Sequence, residues 1–154
     1  MGYEFLISVK ISFSDMVENS STNEEMLWVC KALEKMGVDM LEISSGITMD
    51  GSNASFSPHI KKGMEGNFLN SAKIVAEKVH IPVVSVCGYR TPQFIEKVLS
   101  NTNISAISLG RPLTREPDLP NRWKNDKSEA TCVSCNKCFG SQGLISCQLL
   151  NSIK

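Results

Sequence analysis

Short β-branched runs alternate with amphipathic stretches along most of this chain. The runs are Phe5 to Ser12 (FLISVKIS), Met40 to Ser44 (MLEIS), Pro82 to Val86 (PVVSV) and Ile104 to Leu109 (ISAISL). The last three are too apolar for burial on one face, as expected of strands covered on both sides in a parallel sheet. Between them the period changes to that of helices. Thr22 and Glu25 have capping-box spacing, Met26, Val29, Cys30 and Leu33 follow at i, i+3, i+4, i+7, and Gly37 supplies a left-handed stop. A second helix is predicted over Phe68 to Val79. A third starts with Thr91 as N-cap and Pro92 at the first helical position, burying Phe94, Ile95 and Val98. A short helical stretch near Pro117 to Trp123 precedes a cysteine-rich end. The order β-α-β-α-β-α-β predicts an α/β fold with parallel strands and right-handed crossovers.

The connection from Ile47 to Gly66 breaks this rhythm. It holds twenty residues rich in Gly, Ser and Asn. So long a loop is either a functional lid or a disordered insertion. In a barrel of βα units it would lie on the face where active sites form.

Charge and composition mainly exclude. Sixteen basic residues balance sixteen acidic ones, so nothing favours nucleic acid or an anionic membrane. No apolar run approaches the ~20 residues of a membrane helix. The first residues, MGYEFLISVKIS, show neither a charged n-region nor a cleavage site, and Leu6 breaks the myristoylation pattern. A cytoplasmic protein is the expectation.

Candidate chemistry concentrates at two strand ends. The third strand runs into VCGYRTP and the fourth into LGRPL, each with glycine at its C-terminal end. There, backbone N–H groups can approach an anion with no side chain between. The helix opened by Thr91-Pro92 would aim its positive end at the same corner. Arg111 offers a planar fork of donors suited to phosphate. Arg90 either joins it or points away.

These segments resemble, in order and over nearly the whole chain, the NADH:flavin oxidoreductase or Old Yellow Enzyme family. ISVKIS resembles the strand carrying a basic residue to the flavin, and VDMLEISSG the strand after it. EGNFLNSAKIVAEKVHIPVVSVCGYRTP resembles the helix and strand before the phosphate turn, and ISLGRPLTREPDLPNRW the glycine-arginine turn with its downstream prolines. CVSCNKC is similar to the cysteine run of members related to dienoyl-CoA reductases. The resemblance implies a (βα)4 half of a TIM barrel over residues 1–125, the C-terminal half, with a Cys-rich tail over 126–154. It implies that Gly88, Tyr89, Gly110 and Arg111, with Arg90 as a further candidate, hold the FMN phosphate. Lys10 would stand beside the N1/C2 edge of the flavin ring, where the family usually has arginine. Hydride would come from NAD(P)H and pass to a small-molecule acceptor. The family's substrate-binding His/His or His/Asn pair belongs to the other half, so no catalytic residue is expected here. His59, on the long loop, is a weak candidate, and His80, at a helix-to-strand junction, is expected to be structural. Four βα units leave two open sheet edges, for a complementary N-terminal half or a second copy to cover. The expected function is the FMN-phosphate portion of an NAD(P)H oxidoreductase, inactive alone. The alternatives are a non-catalytic half-barrel with a structural metal, or another phosphate-binding TIM-barrel protein.

Cys30 and Cys87 sit singly in apolar stretches and read as buried hydrophobes. Cys132, Cys135, Cys138 and Cys147 crowd the end of the chain. Four thiolates, three of them joined by two-residue spacers and the last after eight more residues, suit a 4Fe–4S cluster or tetrahedral zinc, or else are free thiols.

Overall fold

A computed structural model describes residues 5–48, 55–61, 63–139 and 145–151. The expected loop residues 49–54 and 62, and tail residues 140–144 and 152–154, lie outside the described residues.

Four parallel strands stand in the sequential order β1-β2-β3-β4. They are β1 (Ser8–Ser12), β2 (Met40–Ser44), β3 (Val83–Val86) and β4 (Ala106–Ser108). Three crossover helices link them: α1 (Asn23–Lys35), α2 (Leu69–Ala76) and α3 (Pro92–Asn101). Sequential order with every crossover in parallel is the arrangement of a βα barrel arc, here with half of eight strands. Two further helices follow β4, α4 (Arg111–Arg115) and α5 (Leu119–Asn125), where the sequence suggested one. The tail adds a single 3₁₀ turn at Lys137–Phe139 and a last short helix, α6 (Gln148–Asn151).

Local signals account for most boundaries. Thr22 caps α1 in both directions of the capping box, and Gly37 leaves the helix at φ +91°. Pro92 occupies the first turn of α3 as expected. The strands come out shorter than the apolar runs. Phe5 and Leu6 are exposed, and Ile7 precedes the ladder, its N–H donating to the Asp39 carboxylate. β4 departs from two-sided burial: Ala106 is exposed, and among the described residues no strand pairs with β4 on its outer side.

The core lies between the sheet and its helices. Leu41 and Ile43 of β2 and Val83 of β3 pack against Cys30 of α1, Ala72 and Val75 of α2, and Val98 of α3. A smaller cluster of Ile60, Phe68 and Cys87 sits where β3 ends, so the long loop contributes to the interior. Within that loop Ser55, Ser57 and Ile60 are buried, and Phe56 N–H donates to the Thr48 carbonyl. The described part of the loop is thus packed onto the strand ends.

Candidate anion-binding site

The two glycine turns meet at one cavity of about 390 Å³. Val86 to Tyr89 form one wall and Ser108 to Pro112 another. Phe56 and Ser57 of the long loop, Lys10 of β1, and Cys138, Phe139 and Ile145 of the tail complete it. Parallel pairing of Val86 with Ser108 puts both turns at the same end of neighbouring strands. The cavity therefore opens where βα folds keep their sites.

After β3 the backbone turns through two successive positive φ values, Cys87 at +86° and Gly88 at +84°. A cysteine held there is strained, and such strain gathers at ligand sites. Among the described residues, the N–H groups of Gly88, Tyr89 and Gly110 donate to no protein acceptor. Backbone donors left without a partner in residues that line a cavity are what an oxyanion requires. At Gly110 a Cβ would meet nothing within 4 Å, so space for a ligand lies open there. At Gly88 a Cβ would come within 3.0 Å of Ile60, so this glycine also serves the packing of the loop.

Arg111 divides its guanidinium between two tasks. Nη1 donates to the Pro58 carbonyl (2.9 Å), to Asn136 Oδ1 (2.6 Å) and more weakly to the Ser134 carbonyl (3.4 Å). Nη2 has only the Cys87 sulfur, at 3.9 Å, and Nε has no partner among the described residues. The Nε–Nη2 edge is the side of arginine that grips phosphate in two parallel bonds. Lys10 lies on the same cavity, exposed and paired with Glu42 at 2.5 Å.

Two neighbouring groups stay neutral. Burial pushes the Cys87 thiol up to about 11 against the pull of Arg111 and Lys10. It pushes the Tyr89 phenol up to about 12, against the opposing hydrogen bond with Ser85 (2.6 Å). The Tyr89 ring also stacks on Phe94, which locks the turn to α3.

Other sequence candidates lie elsewhere. The Arg90 side chain is buried, 5% exposed, and turned to the tail, where Nη1 donates to the Cys132 carbonyl at 3.0 Å. Its Nε is 3.7 Å from Glu129, and Nε and Nη2 lack hydrogen-bond partners among the described residues. The N-terminus of α3, expected to face the anion, is taken by Glu65. That carboxylate accepts from Arg90 N–H (2.7 Å), Thr91 N–H (3.0 Å) and the Thr91 hydroxyl. Thr91 is the N-cap residue, but its side chain makes no cap bond of its own. His59 is exposed and does not line the cavity. His80 is almost fully exposed, with Nδ1 3.6 Å from Glu34.

Sequence reasoning missed Glu65, Ser57 and Asn136. Asn136 lies between cysteines and reads as a spacer. Its one signal is that asparagine tolerates the left-handed region, where it sits at φ +60°.

All four tail cysteines line a second, much smaller cavity, with Arg111 and Arg115 beside them. Among the described residues no three Cys, His, Asp or Glu side chains are grouped as a metal would need. The thiols share a cavity, but as placed they do not fit a metal shell. Burial alone would raise Cys147; the hydrogen bond from Arg115 Nη1, 3.4 Å from its sulfur, the backbone of Leu149 and Leu150 and the Arg115 charge together hold the thiol below its usual range. Burial raises Cys138.

Among known proteins, the chain is 29% identical over 145 residues to NADH oxidase of Thermoanaerobacter brockii, covering 92% of this chain and 22% of that protein. It is 27% identical to the metal reductase of Desulforamulus reducens, over 89% of this chain and 20% of that one. It is 32% identical to the bilirubin reductase of Clostridium symbiosum, over 76% and 32%. The chain thus spans about a fifth to a third of the length of these relatives. Residues 1–129 match the family described as NADH:flavin oxidoreductase / NADH oxidase, and the 92% coverage of the first relative runs past residue 129 into the cysteine tail. With its parallel βα arc and glycine-ended strands, the chain belongs to the NADH:flavin oxidoreductase / NADH oxidase family.

Proposed function

We propose that this chain supplies the FMN-phosphate site of an NADH-linked flavin oxidoreductase, as the C-terminal half of its barrel. The observation that carries the reading is a set of donors on one cavity that have no oxygen or nitrogen acceptor among the described residues. The N–H groups of Gly88, Tyr89 and Gly110 and the Nε–Nη2 edge of Arg111 supply fixed positive poles for one dianion. These residues fit a phosphate monoester, and the cavity continues past it to Lys10. When bound, FMN supplies the redox chemistry of such an enzyme, with NADH or NADPH as reductant and a small-molecule acceptor. The protein's part is to anchor the phosphate and to set a cation, Lys10, near the ring. Glu42 offsets part of that cation's charge. Neither histidine lines the cavity, so the residues that bind the acceptor come from a complementary half, and the chain alone is inactive. Both outer strands, β1 and β4, lack a partner on one side among the described residues. An N-terminal half, or failing that a second copy, closes them.

The cysteine tail carries a second reading, a thiolate centre of iron–sulfur or zinc type. Its support is the shared cavity of Cys132, Cys135, Cys138 and Cys147. Because the thiols as placed form no metal shell, binding requires the tail to rearrange. No membrane helix occurs among the described residues. The reading places the protein in the cytoplasm, where thiols remain reduced.

Titration of the full chain with FMN and with riboflavin tests the phosphate site. Tighter binding of FMN is expected, and equal affinity refutes it. Co-expression with a matching N-terminal half should restore flavin colour and NADH oxidation. Iron, acid-labile sulfide and zinc assays on anaerobically purified protein decide the tail.

A further inference from the structure

We infer that Asn136 of the cysteine tail is a positioning residue for the anion site, setting the orientation of Arg111. This inference rests on the phosphate reading above and extends it to a residue outside the two glycine turns.

Three elements distant in sequence meet at the Asn136 side chain. Its Oδ1 accepts from Arg111 Nη1 at 2.6 Å and from the Ser57 hydroxyl at 3.1 Å. Its Nδ2 donates to the Ser57 carbonyl at 2.6 Å. The amide is thus fixed to the long loop by two bonds of opposite polarity, which removes any freedom to flip. Held so, it presents an acceptor to one nitrogen of Arg111, and the Pro58 carbonyl presents another at 2.9 Å. Both acceptors take Nη1, on the side away from the Nε–Nη2 edge. A guanidinium held mainly through Nη1, with Nη2 making only a long contact to the Cys87 sulfur, keeps the opposite pair of donors pre-aimed and reduces the rotamer entropy lost when phosphate binds.

The consequence is specific. Without Asn136 the guanidinium keeps the Pro58 carbonyl but loses its short, charge-assisted bond. Affinity should fall for ligands that use the fork and not for those that lack phosphate. Asn136→Ala is therefore expected to weaken FMN roughly tenfold, about the effect of one hydrogen bond to a charged group, with riboflavin unchanged. A merely structural role would weaken both flavins together. Asn136→Asp, close in shape, places a negative charge against Arg111 and should reduce FMN binding further, again sparing riboflavin. It also covers the case in which the alanine variant fails to fold. In the Arg111→Ala background, Asn136→Ala should add no further loss.

Flavin fluorescence titrations of the full chain read all of these. If the unmutated chain shows no preference for FMN over riboflavin, the phosphate reading fails and this inference with it. If that preference exists and survives in either folded Asn136 variant, only the role of Asn136 is overturned.

Discussion

The turn after β3 and the turn after β4 look alike in sequence and behave differently in the fold. Each has a strand, a glycine, an arginine and a proline opening a helix: Gly88-Tyr89-Arg90-Thr91-Pro92 and Gly110-Arg111-Pro112. In the first, Arg90 is buried under the tail and the helix start is satisfied by Glu65. In the second, Arg111 stays on the cavity, its Nε–Nη2 edge holding no oxygen or nitrogen acceptor among the described residues. What separates them is the partner each turn meets. A carboxylate at the first displaces any anion from the helix end, whereas the carbonyl and amide acceptors at the second orient a cation without neutralising it.

The largest expected effect breaks this comparison at Arg90. Arg90→Ala should cost roughly 2–4 kcal/mol of stability, the scale of truncating a large buried side chain. It should leave the ratio of FMN to riboflavin affinity intact. Two of its guanidinium nitrogens lack hydrogen bonds among the described residues, so part of this charge is a burden on the fold. Arg90→Met, which keeps volume and drops the charge, should therefore cost much less in urea denaturation. A selective loss of FMN binding in either variant would place Arg90 in the site after all.

Arg111→Ala should act in the opposite sense. FMN affinity is expected to fall by about 1.5–3 kcal/mol, the net worth of hydrogen bonds to a charged group, with riboflavin little changed. Arg111→Lys sharpens the point, since a single ammonium can meet either the Pro58 and Asn136 acceptors or the phosphate, not both. It should recover only part of the loss. Unchanged FMN titration in Arg111→Ala would remove the arginine from the site.

The same contrast explains what was legible in the sequence. The alternation of strands and helices, the capping box at Thr22 and Glu25 and the two glycine turns rest on contacts a few residues apart, and they read directly. Strand ends and the fate of Arg90 depend on residues far along the chain. The Arg90 guanidinium is claimed by the tail carbonyl of Cys132, 42 positions away, and its backbone N–H by the Glu65 carboxylate, 25 positions before. No local pattern carries such information. Asn136 was hidden for the same reason: its partner Ser57 lies 79 positions earlier. The cysteines illustrate the limit from the other side. Their spacing announced a common neighbourhood, which the shared cavity provides, but spacing alone did not fix a coordination shell.

The smallest effects separate the two glycines. At Gly88 an added methyl meets two obstacles. The left-handed φ costs about 1–2 kcal/mol for a residue with a Cβ, and Ile60 lies 3.0 Å from where that Cβ would stand. Gly88→Ala should therefore lower thermal stability, and adding Ile60→Val should recover only part of the loss, because the backbone term persists. At Gly110 neither obstacle exists: φ is −100° and nothing lies within 4 Å. Gly110→Ala should shift stability by no more than roughly 0.5 kcal/mol, like an ordinary surface change. Its methyl would nevertheless occupy the space through which a phosphate reaches the Gly110 N–H, so FMN binding should weaken while the melting temperature holds. Should Gly110→Ala instead bind FMN as the unmutated chain does, the second turn would be open for reasons unrelated to an anion. The N–H groups of Gly88 and Tyr89 and the Nε–Nη2 edge of Arg111 would then be the remaining arguments for one.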